Sequence, residues 1–421
     1  MHALILALNY YPDLLGNAPI LVGIAEGLAA RGHEVSVVCA FPHHETGRVD
    51  PRYRGRLTTV EERNGVKIYR AYIKEDTGGL RGKALNYASF SASSLWAALR
   101  HLRGVDVIFT PSPPLTLGLV DIALRRLWGA PYVYNVQDLF PEVAVKIGAL
   151  TNPRAIRAFE RMEREVLGRA DAVAVICEGF KRHAVGIGVS PDRVAVIPNF
   201  TDADLITPRP ESPYRAEWGI APHETVALFS GRMGHSQALD DVAGAWALLR
   251  PRAEELGLRL VMVGDGQARE AALGALGGDP RVTFAPTQPR ERLGELLALA
   301  DIGLAPLKAG LSGASVPSKL LGLMAAGRAV VAQAEEGTDT ALLVEEAGCG
   351  RVTPPGDVAA LAAALEGLAR DPAGRAAMGA AGRAAVEERF SERAVVGRYE
   401  ELLLGVVARA RAERGARGGR G

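Results

Sequence analysis

A chain of 421 residues is long for one core, so two domains of about 200 residues each are the starting expectation. Lys and Arg number 49 against 48 Asp and Glu, a formal net charge of +1, and no strong overall field points to nucleic acid. Cys39, Cys177 and Cys349 are far apart and no Cys-x-x-Cys or Cys/His cluster exists, so neither a zinc site nor a disulfide framework is indicated. A reducing, cytoplasmic setting fits this cysteine usage. Residues 1–8 are too short for a signal peptide and lack a basic start, so they read as a buried strand. No apolar run approaches the roughly 20 residues of a membrane span.

Strand and helix alternate from the first residues. The short apolar run 3–8 has the mark of a strand covered on both faces. Asn17 is a plausible N-cap, Ile20, Ile24 and Leu28 follow at helical spacing, and Gly32 sits where a helix ends. Further strands are expected at 34–40, 105–109, 132–136, 172–177 and 194–197. The pattern breaks over 199–218, which carries Pro208, Pro210 and Pro213 and reads as an interdomain connection. It restarts with strands at 225–229, 259–263, 282–284, 302–305 and 329–332, a Gly231–Gly234 loop and a helix at 239–249. The fold class is therefore α/β, with parallel sheets covered by helices. Such sheets bind ligands at the carboxyl ends of their strands, and two of them suit a bisubstrate enzyme. The loop 9–17 has one glycine and no Gly-x-Gly-x-x-Gly, which argues against a dinucleotide dehydrogenase.

Several segments in this order resemble glycosyltransferase family 4. They include Pro111-Ser112-Pro113-Pro114-Leu115, Gln137-Asp138-Leu139-Phe140-Pro141-Glu142, Ile197-Pro198-Asn199, Ser230-Gly231-Arg232, Val263-Gly264-Asp265-Gly266 and Val316-Pro317-Ser318-Lys319-Leu320. The first two and the Pro-Ser-Lys piece are similar to a branch that transfers amino-sugars, such as acetylated fucosamine, in O-antigen and capsule assembly. The resemblance implies the GT-B fold, two facing Rossmann-like domains. It divides the chain into 1–198 for the acceptor, 199–390 for the nucleotide-sugar, a helix 391–408 crossing back to the first domain, and a tail 409–421. It further implies a UDP-sugar donor, a lipid-linked saccharide acceptor, retaining chemistry, and no metal or other cofactor. The tail holds five arginines and one glutamate and is expected to lack structure.

The family likeness places the donor diphosphate against Gly231, Arg232, Ser318 and Lys319. Pro317 is placed as a first-turn proline of a helix over 317–326, whose N-terminus supplies free N–H donors and a positive dipole end. Many relatives carry a lysine where this chain has Gln237. Gly16 either lets a phosphate or sugar approach the backbone or is a turn glycine. Asp138 follows a strand and could accept a bond from a sugar hydroxyl, act as an acid/base group or cap its loop, with Glu142 as a second carboxylate nearby. Residues 81–103 mix Lys83, Arg100 and Arg103 with Leu85, Tyr87, Phe90 and Trp96; the stretch could lie on an anionic membrane surface or pack as an ordinary core helix.

One departure stands out. Two glutamates of the family pattern fall on Ala314 and Gly322, and the second normally grips the donor ribose. With Gly322 read as facing the donor, Glu335 or Glu336 could reach the ribose instead. The departure keeps open a weak or inactive nucleotide-sugar-binding homologue and, more distantly, a UDP-sugar 2-epimerase of the same fold.

Overall fold

The apolar run at the start forms β1 (His2–Ala7), every residue of it buried, at the centre of an eight-stranded sheet in a computed structural model of the chain. The structure describes residues 1–13, 16–43, 48–76, 78–146, 148, 150–310 and 318–418. Contacts divide the chain into two units, Met1–Asn199 with Val395–Gly421, and Phe200–Ala394.

In unit 1 the strands are β1, β2 (Glu34–Ala40), β3 (Thr58–Arg63), β4 (Val66–Ala71), β5 (Val107–Pro111), β6 (Tyr132–Val136), β7 (Ala172–Val175) and β8 (Val194–Val196). Their order is β3-β4-β2-β1-β5-β6-β7-β8. All pair in parallel except β3, which runs antiparallel to β4. The sheet is thus not wholly parallel as expected: Asn64 and Gly65, with φ of 47° and 78°, make the tight turn of a hairpin whose outer strand is half exposed. The helices are α1 (Ala18–Ala30), α2 (Gly79–His101), α3 (Leu117–Trp128), α4 (Glu142–Lys146), α5 (Pro153–Arg169) and α6 (Glu178–Gly186). Asn17 does occupy the N-cap of α1, yet its side chain makes no capping bond and donates to the Ser112 carbonyl at 3.1 Å.

In unit 2 the strands β9 (Thr225–Ser230), β10 (Leu258–Val263), β11 (Val282–Ala285), β12 (Ile302–Pro306), β13 (Ala329–Gln333) and β14 (Gly350–Thr353) are all parallel, in the order β11-β10-β9-β12-β13-β14. Its helices are α7 (Tyr214–Glu217), α8 (Leu239–Leu249), α9 (Arg269–Leu276), α10 (Leu293–Ala298), α11 (Ser318–Ala325), α12 (Asp339–Ala347), α13 (Val358–Ala369) and α14 (Pro372–Ala385). One core holds Leu228, Val261, Leu296, Leu320 and Met324; another, against α8 and α13, holds Phe229, Trp246, Met262 and Leu365. In each sheet the order reverses beside the first strand, between β1 and β5 and between β9 and β12. There the following loops part toward opposite faces and leave a crevice at the carboxyl ends.

The last helix, α15 (Glu392–Gly418), does not stop at residue 408. The arginine-rich tail, expected without structure, is helical as far as it is described, and Arg411 pairs with Asp106 at 2.7 Å. The tail continues a helix whose Leu403, Val406 and Val407 are buried. Among the described residues no helix is long and apolar enough to cross a membrane.

Candidate active site

At the switch point of unit 2 the chain leaves β9 through Gly231, at a φ of 136° that favours glycine. The Gly231 N–H donates to the Val263 carbonyl at 3.0 Å and the Met233 N–H to the Asp265 carbonyl at 2.8 Å. A Cβ on Gly264 would lie 1.9 Å from the Gly231 oxygen, and one on Gly266 2.4 Å from the Met233 oxygen. The Gly264-Asp265-Gly266 piece is therefore glycine-rich because it is the bed of the Gly231 loop. The loop's far end is tied to β12: Lys308 N–H donates to Ser236 O at 3.0 Å, and Gln237 bridges Leu307.

Three of the expected donor residues meet here. Lys319, in the first turn of α11, turns its Nζ over the Phe229 ring at 4.2 Å from the centroid and donates to Gln237 Oε1. Its Cε lies 3.7 Å from where a Gly231 Cβ would be. No carboxylate pairs with it among the described residues, and burial lowers its pKa to about 7. Arg232 and Ser318 are exposed beside this cluster, and Arg232 has no partner among the described residues. A glycine loop, a lone ammonium, a free guanidinium and a helix start are together suited to a polyanion such as a diphosphate. Phe229 was not singled out in the sequence, although its place in the last turns of β9, just before the glycine loop, was the available signal.

Pro317 and Ala314 lie outside the described residues. Gly322 is described, and it corrects the expectation made for it: it is buried, with its missing Cβ 3.2 Å from Leu297 Cδ1 on α10, so it faces the core rather than a ligand. The helix packs from the residue after Lys319 onward, and Leu320, Leu321, Leu323 and Met324 around Gly322 are all core residues. Glu335 accepts from the Gly310 N–H, while Glu336 is exposed beyond β13.

In unit 1, Gly16 has a φ of 62° and nothing within 4 Å of its Cβ position, so its backbone is open to approach. Asp138 is exposed after β6, with its carboxyl raised above the usual range by the protein mass around it. Its loop is anchored by a buried amide chain that motif reading missed. Gln137 N–H donates to Ser112 Oγ at 3.1 Å, Gln137 Nε2 to Asn135 Oδ1 at 2.6 Å, Asn199 Nδ2 to Gln137 Oε1 at 2.8 Å, and Asn135 Nδ2 to the Tyr399 hydroxyl at 3.0 Å.

Glu142 is not a free second carboxylate beside Asp138. It lies 2.6 Å from Lys146 Nζ and 3.2 Å from His183 Nδ1, while His183 Nε2 lies 2.9 Å from the buried Glu163. The Glu163 bond, and then the charges of Glu163 and Glu142, raise the His183 pKa above its ordinary 6.5. A histidine favoured in its charged form by the fold stabilises it fully below pH 6.5, and that contribution fades as pH rises through the raised value. Melting temperature followed from about pH 6 to about pH 9 is thus expected to decline less steeply in His183→Gln than in the parent. Identical profiles would show that the triad contributes nothing.

One face of α2 packs as an ordinary core helix does. Phe90, Ala97 and Ala98 are buried in unit 1, whereas Leu85 and Trp96 remain about half exposed at 52% and 47%.

Residues 16–199 match the glycosyl transferase 4-like domain, and residues 224–371 match the glycosyl transferases group 1 domain. WcaI of Escherichia coli strain K12, named as a glycosyl transferase of colanic acid biosynthesis, is 28% identical over 381 residues, which cover 87% of this chain and 91% of WcaI. Among solved structures, sucrose-phosphate synthase from Thermosynechococcus elongatus superposes with a TM-score of 0.71 at 19% identity, covering 97% of this chain and 100% of its own. HepE of Anabaena, solved in complex with UDP, does so with a TM-score of 0.71 at 18% identity, covering 96% and 100%. At these identities the two structures speak for the fold. The paired domain matches, in the order the two sheets occur, make this chain a GT-B glycosyltransferase of the family 4 type.

Proposed function

We propose that the chain moves a sugar, an N-acetylated amino-sugar, from a UDP-sugar to a lipid-linked saccharide in cell-surface polysaccharide synthesis, with retention at the anomeric carbon. The observation that carries the donor half is the Lys319–Gln237–Gly231 cluster at the start of α11. UDP in the HepE complex supports the nucleotide, and the colanic acid assignment in the name of WcaI supports the pathway class. The sugar class and the acceptor rest on the branch resemblance. Transfer breaks the bond between the anomeric carbon and the diphosphate and forms one to an acceptor oxygen, which gives up its proton. Charge gathers on the departing diphosphate, and Arg232, Lys319, Ser318 and the amides of α11 are the groups to meet it. In unit 1, Gly16 lends open backbone and Asp138 holds or deprotonates a sugar hydroxyl, while Glu142 is reassigned to holding α4 against His183.

The test is UDP calorimetry on Arg232→Ala. Loss of a charge-assisted contact should cost roughly 1.5–3 kcal/mol, or about ten- to hundredfold in affinity. Unchanged UDP affinity sinks the donor assignment.

The reaction is further proposed to need no metal ion, because cationic side chains and a helix terminus supply the charge the diphosphate requires. Transfer is expected to persist at full rate in excess EDTA. Loss of activity that magnesium or manganese restores would reject this.

A lipid-linked acceptor places the enzyme on the inner face of the cell membrane, in the cytoplasm, where exposed Leu85 and Trp96 of α2 with Arg81, Lys83 and Arg100 could rest among headgroups. The second reading, a homologue that binds nucleotide-sugar without efficient transfer, rests on the sequence pattern alone, in which the family's two glutamates are replaced by Ala314 and Gly322. Turnover of donor with acceptor separates the two.

A further inference from the structure

A groove of about 610 Å³ opens within unit 1 at the amino ends of β6 and β7, between α15 and the last turns of α3 and α5. Five of its lining residues are arginines: Arg125, Arg126, Arg169, Arg193 and Arg409. Their charges are unevenly met. Arg125 pairs with Asp171 at 2.8 Å, and Arg169 with Glu165 at 2.6 Å. Arg193 donates only to the carbonyls of Gly168 and Ala170, at 3.0 and 2.9 Å, which hold the guanidinium in place without neutralising it. Arg126 and Arg409 are exposed and make no hydrogen bond or ion pair among the described residues. Three uncompensated guanidinium groups therefore line one hollow, and the remaining lining carboxylate is Glu413.

Helix C-termini attract cations, and that accounts for Arg125, Arg126, Arg169 and Arg193, which lie in the last turns of α3 and α5 or bond to the carbonyls there. It does not account for Arg409, which sits inside α15. Like charges around a concavity repel, and an anion relieves that repulsion. Guanidinium groups match phosphoryl oxygens in geometry as well as charge. The volume falls in the range of small-molecule sites. The groove is separate from the Asp138 end of the sheet, because the strands are parallel and a five-residue strand such as β6 spans about 16 Å.

We propose that this groove is a second anion site, taking a ligand that carries phosphoryl groups with at least two negative charges, either a free phosphorylated small molecule or the headgroup of an anionic lipid. The experiment titrates inorganic pyrophosphate by calorimetry into the parent, into Arg126→Ser/Arg409→Ser, and into Arg232→Ala/Lys319→Met, in which the proposed donor cations are gone. Pyrophosphate binding that survives the donor-site changes but weakens at least about tenfold in Arg126→Ser/Arg409→Ser supports a free ligand. In a parallel arm the same proteins are floated with vesicles of phosphatidylcholine alone or with one third phosphatidylglycerol. Capture that needs phosphatidylglycerol and both arginines, without a groove signal for pyrophosphate, assigns the headgroup. Binding equal in parent and Arg126→Ser/Arg409→Ser in both arms, or absent from both, overturns the site. Unchanged melting temperature in Arg126→Ser/Arg409→Ser keeps the comparison free of folding effects.

Discussion

UDP affinity is expected to fall by up to about tenfold for each pH unit above 7, and Lys319→Met is expected to erase that slope. The ammonium lies over the Phe229 ring, takes one hydrogen bond acceptor from Gln237 and has no carboxylate partner among the described residues. Burial of the charge lowers its pKa to about 7, so near neutrality it is only partly charged before ligand arrives. A diphosphate favours the charged form and raises that value, so binding takes up a proton. Below pH 7 the proton is already present and this group adds no slope. Above pH 7 it must be acquired, and affinity drops until the pKa of the bound state is reached. Phosphate titrates near pH 6, outside this window. Calorimetry at about pH 8 in two buffers of different ionisation enthalpy reads the uptake directly. Equal UDP affinity at pH 7 and at about pH 8.5 in the parent would mean that Lys319 does not touch the diphosphate.

Why this site could be read from the sequence, and others could not, follows from how far apart its parts lie. The family likeness singled out Gly231, Arg232, Ser318 and Lys319, and strand–loop–helix order places them at the carboxyl end of one sheet, since the first two adjoin a buried strand and the last two open a helix. The strands were legible because apolar runs covered on both faces need no partner to be recognised. The hairpin of β3 and β4 was overlooked because Thr58–Arg63 carries Glu61, Glu62 and Arg63 and is half exposed, although Asn64-Gly65 between the strands was a strong turn signal. The amide chain that anchors the Asp138 loop was not legible. Its members Gln137 and Asn199 are 62 residues apart, and Asn135 and Tyr399 are 264 apart, and no local pattern announces such pairs. The surroundings of Glu142 were hidden for a similar reason: its partner His183 arrives on α6, 41 residues further along the chain.

Gly322→Glu is expected to destabilise the protein by about 3 kcal/mol or more and not to tighten UDP binding. The family pattern invites the opposite expectation, since a glutamate at this place grips the donor ribose. Here the position points at Leu297 Cδ1, 3.2 Å from where a Cβ would stand, among Leu296, Leu320, Leu321 and Met324 of the unit 2 core. That contact is already tight for one carbon, and a carboxylate beyond it would be desolvated with no cation paired to this position. Gly322→Ala separates backbone from charge. It gains about 1 kcal/mol of helix preference and loses some of it to the displacement of Leu297, so its melting temperature should stay near that of the parent. The deficit of Gly322→Glu should narrow as pH falls toward about 4, because burying a neutral carboxyl costs less than burying a charged one. Thermal melts of both variants at neutral and acid pH, with UDP calorimetry at neutral pH, decide the matter. A Gly322→Glu protein that melts with the parent and binds UDP more tightly would mean that α11 turns this face to the nucleotide and that the chain has lost a ribose contact it can regain.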